Sequence, residues 1–191
     1  LKADCFNNRG VNYEIMGLLD SAYVNYTRSF AYEQQFGDSL GLAQSMINLG
    51  ILAGKLGFYS ESVECLRNAM EFLDPHSPII YMALVQQNLG LTLHWQGEPS
   101  EALENLYQAR EIYLEIADSQ RLYQLETDIV NVLIETGQLD KASQILNNGY
   151  KGYENKLNLR STLLRNMSRM NLAMKESNFT KAKLIWENRL L

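Results

Sequence analysis

The chain has 191 residues, 46% hydrophobic and 20% charged, with three prolines, which is ample for a continuous core and ordinary for a helical protein. No apolar run approaches the roughly 20 residues that span a bilayer, and no signal-peptide pattern opens the chain, so membrane insertion is not expected. The net charge of −5 is uneven: residues 1–150 carry 8 Lys+Arg against 19 Asp+Glu, and residues 151–191 carry 9 against 3. The cations of that second stretch (Lys151, Lys156, Arg160, Arg165, Arg169, Lys175, Lys181, Lys183, Arg189) are scattered and form no tract. A solvated helix surface is the expectation, and nucleic acid is not the expected partner of this region.

In chain order, helices are predicted over residues 3–16, 20–35, 39–56, 60–73, 78–96, 100–117, 120–136, 140–154, 158–176 and 180–190. The chain opens in LKADCFNN and closes in IWENRLL, both of which read as helix interiors, as in a fragment of a longer protein. Turn residues recur every 40 positions, at Gly17, Gly57, Gly97, Gly137 and Ser177. A left-handed residue there ends one helix. Three residues further on come Asp20, Ser60, Ser100, Asp140 and Thr180, each a good N-cap by residue type. Small residues occupy Gly10, Gly50 and Gly90 on the first helix of a pair, with Val130 and Met170 in the same register. Ala22, Ser62, Ala102, Ala142 and Ala182 take the facing positions on the second helix. Larger side chains (Tyr26, Leu66, Leu106, Leu146, Trp186) fill the grooves. Neither helix can bury such a stripe alone, so neighbouring pairs must stack.

These residues resemble the tetratricopeptide-repeat (TPR) family. The third repeat carries the pattern as Leu89-Gly90, Leu93, Ala102, Leu106 and Ala109. The second carries it as Leu49-Gly50, Ala53, Ser62, Leu66 and Ala69, and the first as Phe6, Gly10, Tyr13, Ala22, Tyr26 and Ser29. The resemblance implies an all-α, right-handed α-α superhelix of five antiparallel helix pairs. The repeats fall at about 3–36, 39–74, 78–117, 120–155 and 158–191, in a single solenoid over 1–191. The period is longer than the usual 34 residues, and the larger Val130 and Met170 imply looser or shifted packing in the last two pairs. Long repeats of this kind are similar to those of bacterial regulatory and sensor proteins, the GDSLGLAQSMINLG segment at 37–50 especially.

Little here could build an active site. No Gly-rich phosphate loop, nucleophile elbow or metal-ligand spacing appears. Asp74 and His76 sit in a Pro-bounded turn and read as a cap and a loop residue. His94 beside Trp95 reads as a packed or partly exposed pair. Cys5 and Cys65 fall at apolar helical positions, where a free thiol behaves as a small hydrophobe. No enzyme activity, cofactor, metal or small-molecule substrate is expected.

By the resemblance, the concave face is lined by the first helices. The candidate binding residues are Asn8, Gln44, Asn48, Lys55, Gln87, Asn88, Trp95, Gln124, Asp128 and Asn131, with Thr127, Glu135, Leu164, Met167, Ser168, Asn171 and Lys175 beside them. Asn8, Asn48 and Asn88 recur 40 apart, and Asp128 continues the row. An amide both donates and accepts, so such a row can pair with the backbone of an extended peptide. The same asparagines can instead bond between adjacent helices and fix the stacking. Of the family's two-carboxylate clamp only one asparagine is matched, at Asn48 or Asn88, and the positions of its Lys, Asn, Lys and Arg hold Asn7, Val11, Leu84 and Asn88, so that clamp is not expected. The last helix presents Ile185, Trp186 and Leu190, a strip that predicts self-association, including a homodimer.

The expected function is a non-catalytic scaffold for a protein or peptide segment: the sensory or interaction region of a bacterial regulatory protein of signal transduction or transcription, in the cytoplasm. The alternative is a structural self-association or spacer array with no ligand in its groove.

Overall fold

A computed structural model describes residues 2–148 and 159–187. Ten α-helices and no strand are found among the described residues: α1 Lys2–Ile15, α2 Leu19–Phe36, α3 Ser39–Lys55, α4 Tyr59–Phe72, α5 Ile79–Gln96, α6 Pro99–Glu115, α7 Ser119–Glu135, α8 Leu139–Asn148, α9 Leu159–Lys175 and α10 Phe179–Glu187. The 155–158 connector, Lys151, Lys156, Arg189 and Leu190 lie outside the described residues. The helices gather into two compact units, Leu1–Asn105 and Leu106–Leu191.

The 40-residue turn is one motif used five times. Gly17, Gly57, Gly97 and Gly137 have φ of 75°, 83°, 93° and 76°, and Ser177 has φ 57°. This is the left-handed region in which a Cβ is strained. The amide of the next residue then reaches back five positions: Leu18 to Tyr13 O at 2.8 Å, Phe58 to Ala53 O at 2.9 Å, and Glu98, Gln138 and Asn178 to Leu93 O, Leu133 O and Ala173 O, each at 2.8 Å. These bonds satisfy carbonyls that the end of a helix leaves unpaired.

The same geometry corrects the expected caps. Asp20, Ser60, Ser100, Asp140 and Thr180 are each the second residue of their helix and not its cap. The back-bonded residue is already committed, so the next helix starts at once. The cap-position residues Leu18 and Phe58 make no side-chain cap bond. Side-chain caps appear between the pairs, where Asp38 accepts from Gly41 N and Asp118 from Arg121 N, each at 3.0 Å, and at the fifth turn, where Asn178 accepts from Lys181 N at 3.0 Å. Asp20 and Asp140 still favour the first turn through the helix dipole.

Packing follows the small-residue register. Ala22, Ser62, Ala102 and Ala142 are fully buried and Ala182 nearly so. In the unit Leu1–Asn105, α1 pairs with α2 and α3 with α4, while α1, α3 and α5 lie side by side as a layer of first helices. Gly10 sits so close to Tyr26 that a Cβ would fall 2.5 Å from two ring atoms. Ile47, Val63, Leu66, Val85, Leu89 and Leu93 form the core between the pairs. In the unit Leu106–Leu191, α7 packs on α8 and α9, and α9 on α10. Where α1 has a glycine, α7 has the fully buried Val130.

Candidate binding site

The layer of first helices in the unit Leu1–Asn105 is bonded across its width. Asn48 Nδ2 of α3 donates to Asn7 Oδ1 of α1 at 2.7 Å, and Gln44 Nε2 of α3 donates to the Tyr81 hydroxyl of α5 at 2.8 Å. Asn88 Nδ2 instead donates to Leu84 O of its own helix at 2.7 Å. Asn8 is exposed. Two of the three recurring amides therefore already use a donor within the protein. Lys55 pairs with Glu14, whose second carboxylate oxygen accepts from the buried Tyr26 hydroxyl at 2.6 Å. Burial, reinforced by that bond and by the Glu14 charge, pushes the Tyr26 hydroxyl far above its ordinary pKa. Gln87, expected on the open face, is only 8% exposed. Trp95 stays half-exposed, its ring 6.1 Å from that of Tyr59.

In the unit Leu106–Leu191 the sequence-selected residues converge. Thr127, Asn131 and Glu135 of α7 face Leu164, Met167, Ser168 and Asn171 of α9 across an open cleft of about 220 Å³, with Ile134 at its edge. The buried Ser168 hydroxyl donates to Asn131 Oδ1 at 2.9 Å. This fixes the Asn131 amide and leaves its N–H groups as the donors offered to the cleft. Apolar side chains beside oriented donors are the usual make-up of a ligand cleft. Gln124 is exposed and Asp128 half-buried on the same helix.

Of the strip on α10, Ile185 is half-buried and lines a second cleft with Leu172, Leu184 and Arg169, while Trp186 is half-exposed. Leu190 lies outside the described residues.

The turn after α4 holds no dyad. Asp74 Oδ1 accepts from the backbone amides of His76 and Ser77, both at 2.8 Å, and from the Ser77 hydroxyl at 3.1 Å. Those bonds, the His76 amide first, hold the Asp74 carboxyl below the usual range. Cys5 and Cys65 are free thiols. Among the described residues, no three His, Cys, Asp or Glu side chains gather where they could hold a metal ion, and no helix is long and apolar enough to cross a membrane.

A buried ion pair has no counterpart in the sequence reading. Glu126 of α7, 1% exposed, receives both Nε and Nη2 of Arg110 on a single oxygen, at 3.1 and 2.9 Å. Burial raises its pKa, although the Arg110 hydrogen bond and charge pull the other way. In the sequence it is one glutamate among many, with no local signal that marks it as buried.

Comparison with known proteins bears on the fold. The tetratricopeptide-repeat family profile matches residues 83–118. No curated protein matches the sequence. Among solved structures, the nearly identical TPR-like repeats of a kinesin-light-chain-like protein from Podosopora anserina superpose with a TM-score of 0.80 at 15% identity, over 97% of this chain and 92% of that one. A Rap protein complexed with Competence and Sporulation Factor gives 0.80 at 13% identity, over 97% of this chain and 52% of that one. BtubC (BKLC) of P. vanneervenii gives 0.78 at 14% identity, over 94% and 75%.

Proposed function

We propose that this chain, whose residues 83–118 match the tetratricopeptide-repeat family and whose all-α fold is that of tetratricopeptide-repeat solenoids, is a non-catalytic binder of a protein or peptide segment. The observation that carries this reading is the α7–α9 cleft, where Asn131 donors and the apolar Leu164 and Met167 are presented together. The open first-helix face of the unit Leu1–Asn105, with Asn8, Asn48 and Asn88, is the second surface of the same kind. The finer role is the sensory or interaction region of a bacterial regulatory protein in the cytoplasm, with no cofactor, small-molecule substrate or nucleic acid. It is supported by the likeness in fold to a Rap protein complexed with Competence and Sporulation Factor.

The test is selection of a random peptide library on the full chain, followed by titration of the selected peptides into variants. Asn131→Ala with Asn171→Ala, and separately Asn48→Ala with Asn88→Ala, should weaken the selected peptides without loss of helicity. No enrichment over a blank surface would end the ligand reading.

A second reading is favoured by the Asn48–Asn7 bond and by the exposure of Phe179, Leu184 and Trp186 on α10. In it the amides fix stacking and the array self-associates through Ile185, Trp186 and Leu190. It requires Asn48→Ala to lower helicity, and Trp186→Glu to reduce the mass seen by light scattering at high concentration.

A further inference from the structure

A large, mostly apolar opening in the unit Leu1–Asn105 is lined by residues of α2, α3 and α4 and by none of Asn8, Asn48 and Asn88. It is an open trough of about 760 Å³ between the second helices α2 and α4. Its floor is Met46, Leu49, Leu52 and Ala53 of α3, and Val24, Phe30 and Cys65 stand in its walls. Tyr23 and Phe58 are each 57% exposed at its sides and Val24 45%. Along α2 the lining runs from Leu19 to Phe30, a length of roughly 16 Å, or three helical turns.

Two properties decide what this trough can accept. The first is hydrogen bonding. Its walls are helices whose backbone groups are already paired, and the Thr27 hydroxyl donates to Tyr23 O at 2.9 Å. An extended peptide pressed into it would bury amides and carbonyls without partners, at a cost of kilocalories for each group. A helix brings its own backbone bonds. The second is charge. The trough carries Asp20, Glu61 and Glu64 and no Lys or Arg among its lining residues. The nearest arginines on the same helices point elsewhere, Arg28 over the Phe6 ring at 5.8 Å and Arg67 to Glu101 at 2.8 Å.

We propose that the α2–α4 trough docks an amphipathic α-helix of a partner protein, its apolar face on the α3 floor and its flanking Lys or Arg side chains against Asp20, Glu61 and Glu64. Apolar anchors at i, i+3, i+4 and i+7 are the known mode for a helix in a groove, and cationic flanks set its register and steer its approach. The site is separate from the peptide surfaces proposed above and does not depend on them.

Cys65 provides a local reporter. It sits in the trough wall, whereas Cys5 lies exposed on α1. Burial, with Glu64 and Glu61 beside it, raises the Cys65 thiol pKa, so alkylation is best followed at mildly alkaline pH. The probe is a fluorescein-labelled 14-residue peptide of Leu, Lys and Ala with leucines at i, i+3, i+4 and i+7 (~14 residues span about four turns). One control keeps its composition but scrambles the leucines; another replaces Lys by Glu. The expected result is severalfold slower N-ethylmaleimide modification of Cys65 with the Lys peptide alone, Cys5 being unaffected, and a matching anisotropy rise. Glu61→Lys with Glu64→Lys should abolish both effects and transfer them to the Glu peptide. The equally charged pair Glu104→Lys with Glu115→Lys should not. Equal action of the scrambled peptide, an unprotected Cys65, or binding that survives the Glu61/Glu64 reversal would overturn the proposal. Loss of peptide binding at Asn48 and Asn131 would leave it standing.

Discussion

The unit Leu1–Asn105 and the unit Leu106–Leu191 are built from the same helix pair but held by different chemistry. In the first, glycine lets α1 ride on Tyr26, and amides link the first helices at their surface: Asn48 to Asn7, Gln44 to Tyr81. In the second, α7 is an aliphatic core helix. Leu125, Ile129, Val130 and Leu133 are fully buried along it, and one ion pair, Arg110–Glu126, is buried with them. One repeat pattern thus tolerates a glycine contact with polar edges or an aliphatic helix with an ion pair buried beside it. The difference shows in which substitutions each unit should resist.

The largest effect is expected at the buried pair. Arg110→Ala strands a buried carboxylate without its ion-pair partner, at a cost of roughly 3 kcal/mol or more. Arg110→Met combined with Glu126→Leu should recover most of that in urea denaturation of the full chain. The same glutamate sets a pH dependence. Its folded pKa is raised above the ordinary 4.5 by burial, so its contribution is fully present below the unfolded value and is lost as the pH rises through the folded one. Stability should therefore fall across that interval in the wild type, and Glu126→Gln should flatten the profile. A profile unchanged by the substitution would mean that Arg110 keeps the carboxylate ionised throughout.

Next in size is Gly10→Ala, which sets a methyl against a tyrosine ring held by Glu14. Overpacking should outweigh alanine's better helix propensity by about 1–2 kcal/mol. Val130→Ala in α7 should also destabilise, but by leaving a gap, about 1–2 kcal/mol. If Gly10→Ala proved neutral, close approach would not be what distinguishes the first unit.

Smaller and of opposite sign are Ala117→Gly and Ser177→Gly. Both residues hold left-handed backbone, φ 54° and 57°, where the first unit uses glycine. Each should gain about 0.5–1 kcal/mol, read as a rise in the urea midpoint. The smallest contrast lies within the asparagine row. Asn48→Ala should cost about 1 kcal/mol through the lost bond to Asn7, whereas Asn88→Ala, which loses only a bond to its own helix, should fall within about 0.5 kcal/mol of wild type. Equal costs would place both residues in stacking.

What is legible in the sequence follows the range of each interaction. Thr127, Asn131, Ser168 and Asn171 stand out by their register on predicted helices, because a lining position depends on which face a helix turns to its neighbour. Gln87, in the same register by sequence, is buried, because a residue at the edge of a helix face is covered or bare according to a few degrees of rotation. The cap positions lie two residues before the expected ones because the residue whose amide reaches back across the left-handed turn is itself the start of the next helix; where that residue is Asn178 its side chain caps, and where it is Leu18 or Phe58 none can.

The amino-acid sequence by itself determined the helix ends and the small-to-large stripes that pair the helices. These are local matters: a left-handed residue, a back-bonded amide and a 3.6-residue period act between near neighbours in the chain. Only the tertiary structure decided that Asn48 meets Asn7, that Arg110 meets Glu126, and that residues between Leu19 and Asn68 enclose an apolar trough with an acidic rim. Those outcomes depend on how far each helix is turned and how close it lies to the next, and that is settled by the summed packing of many side chains.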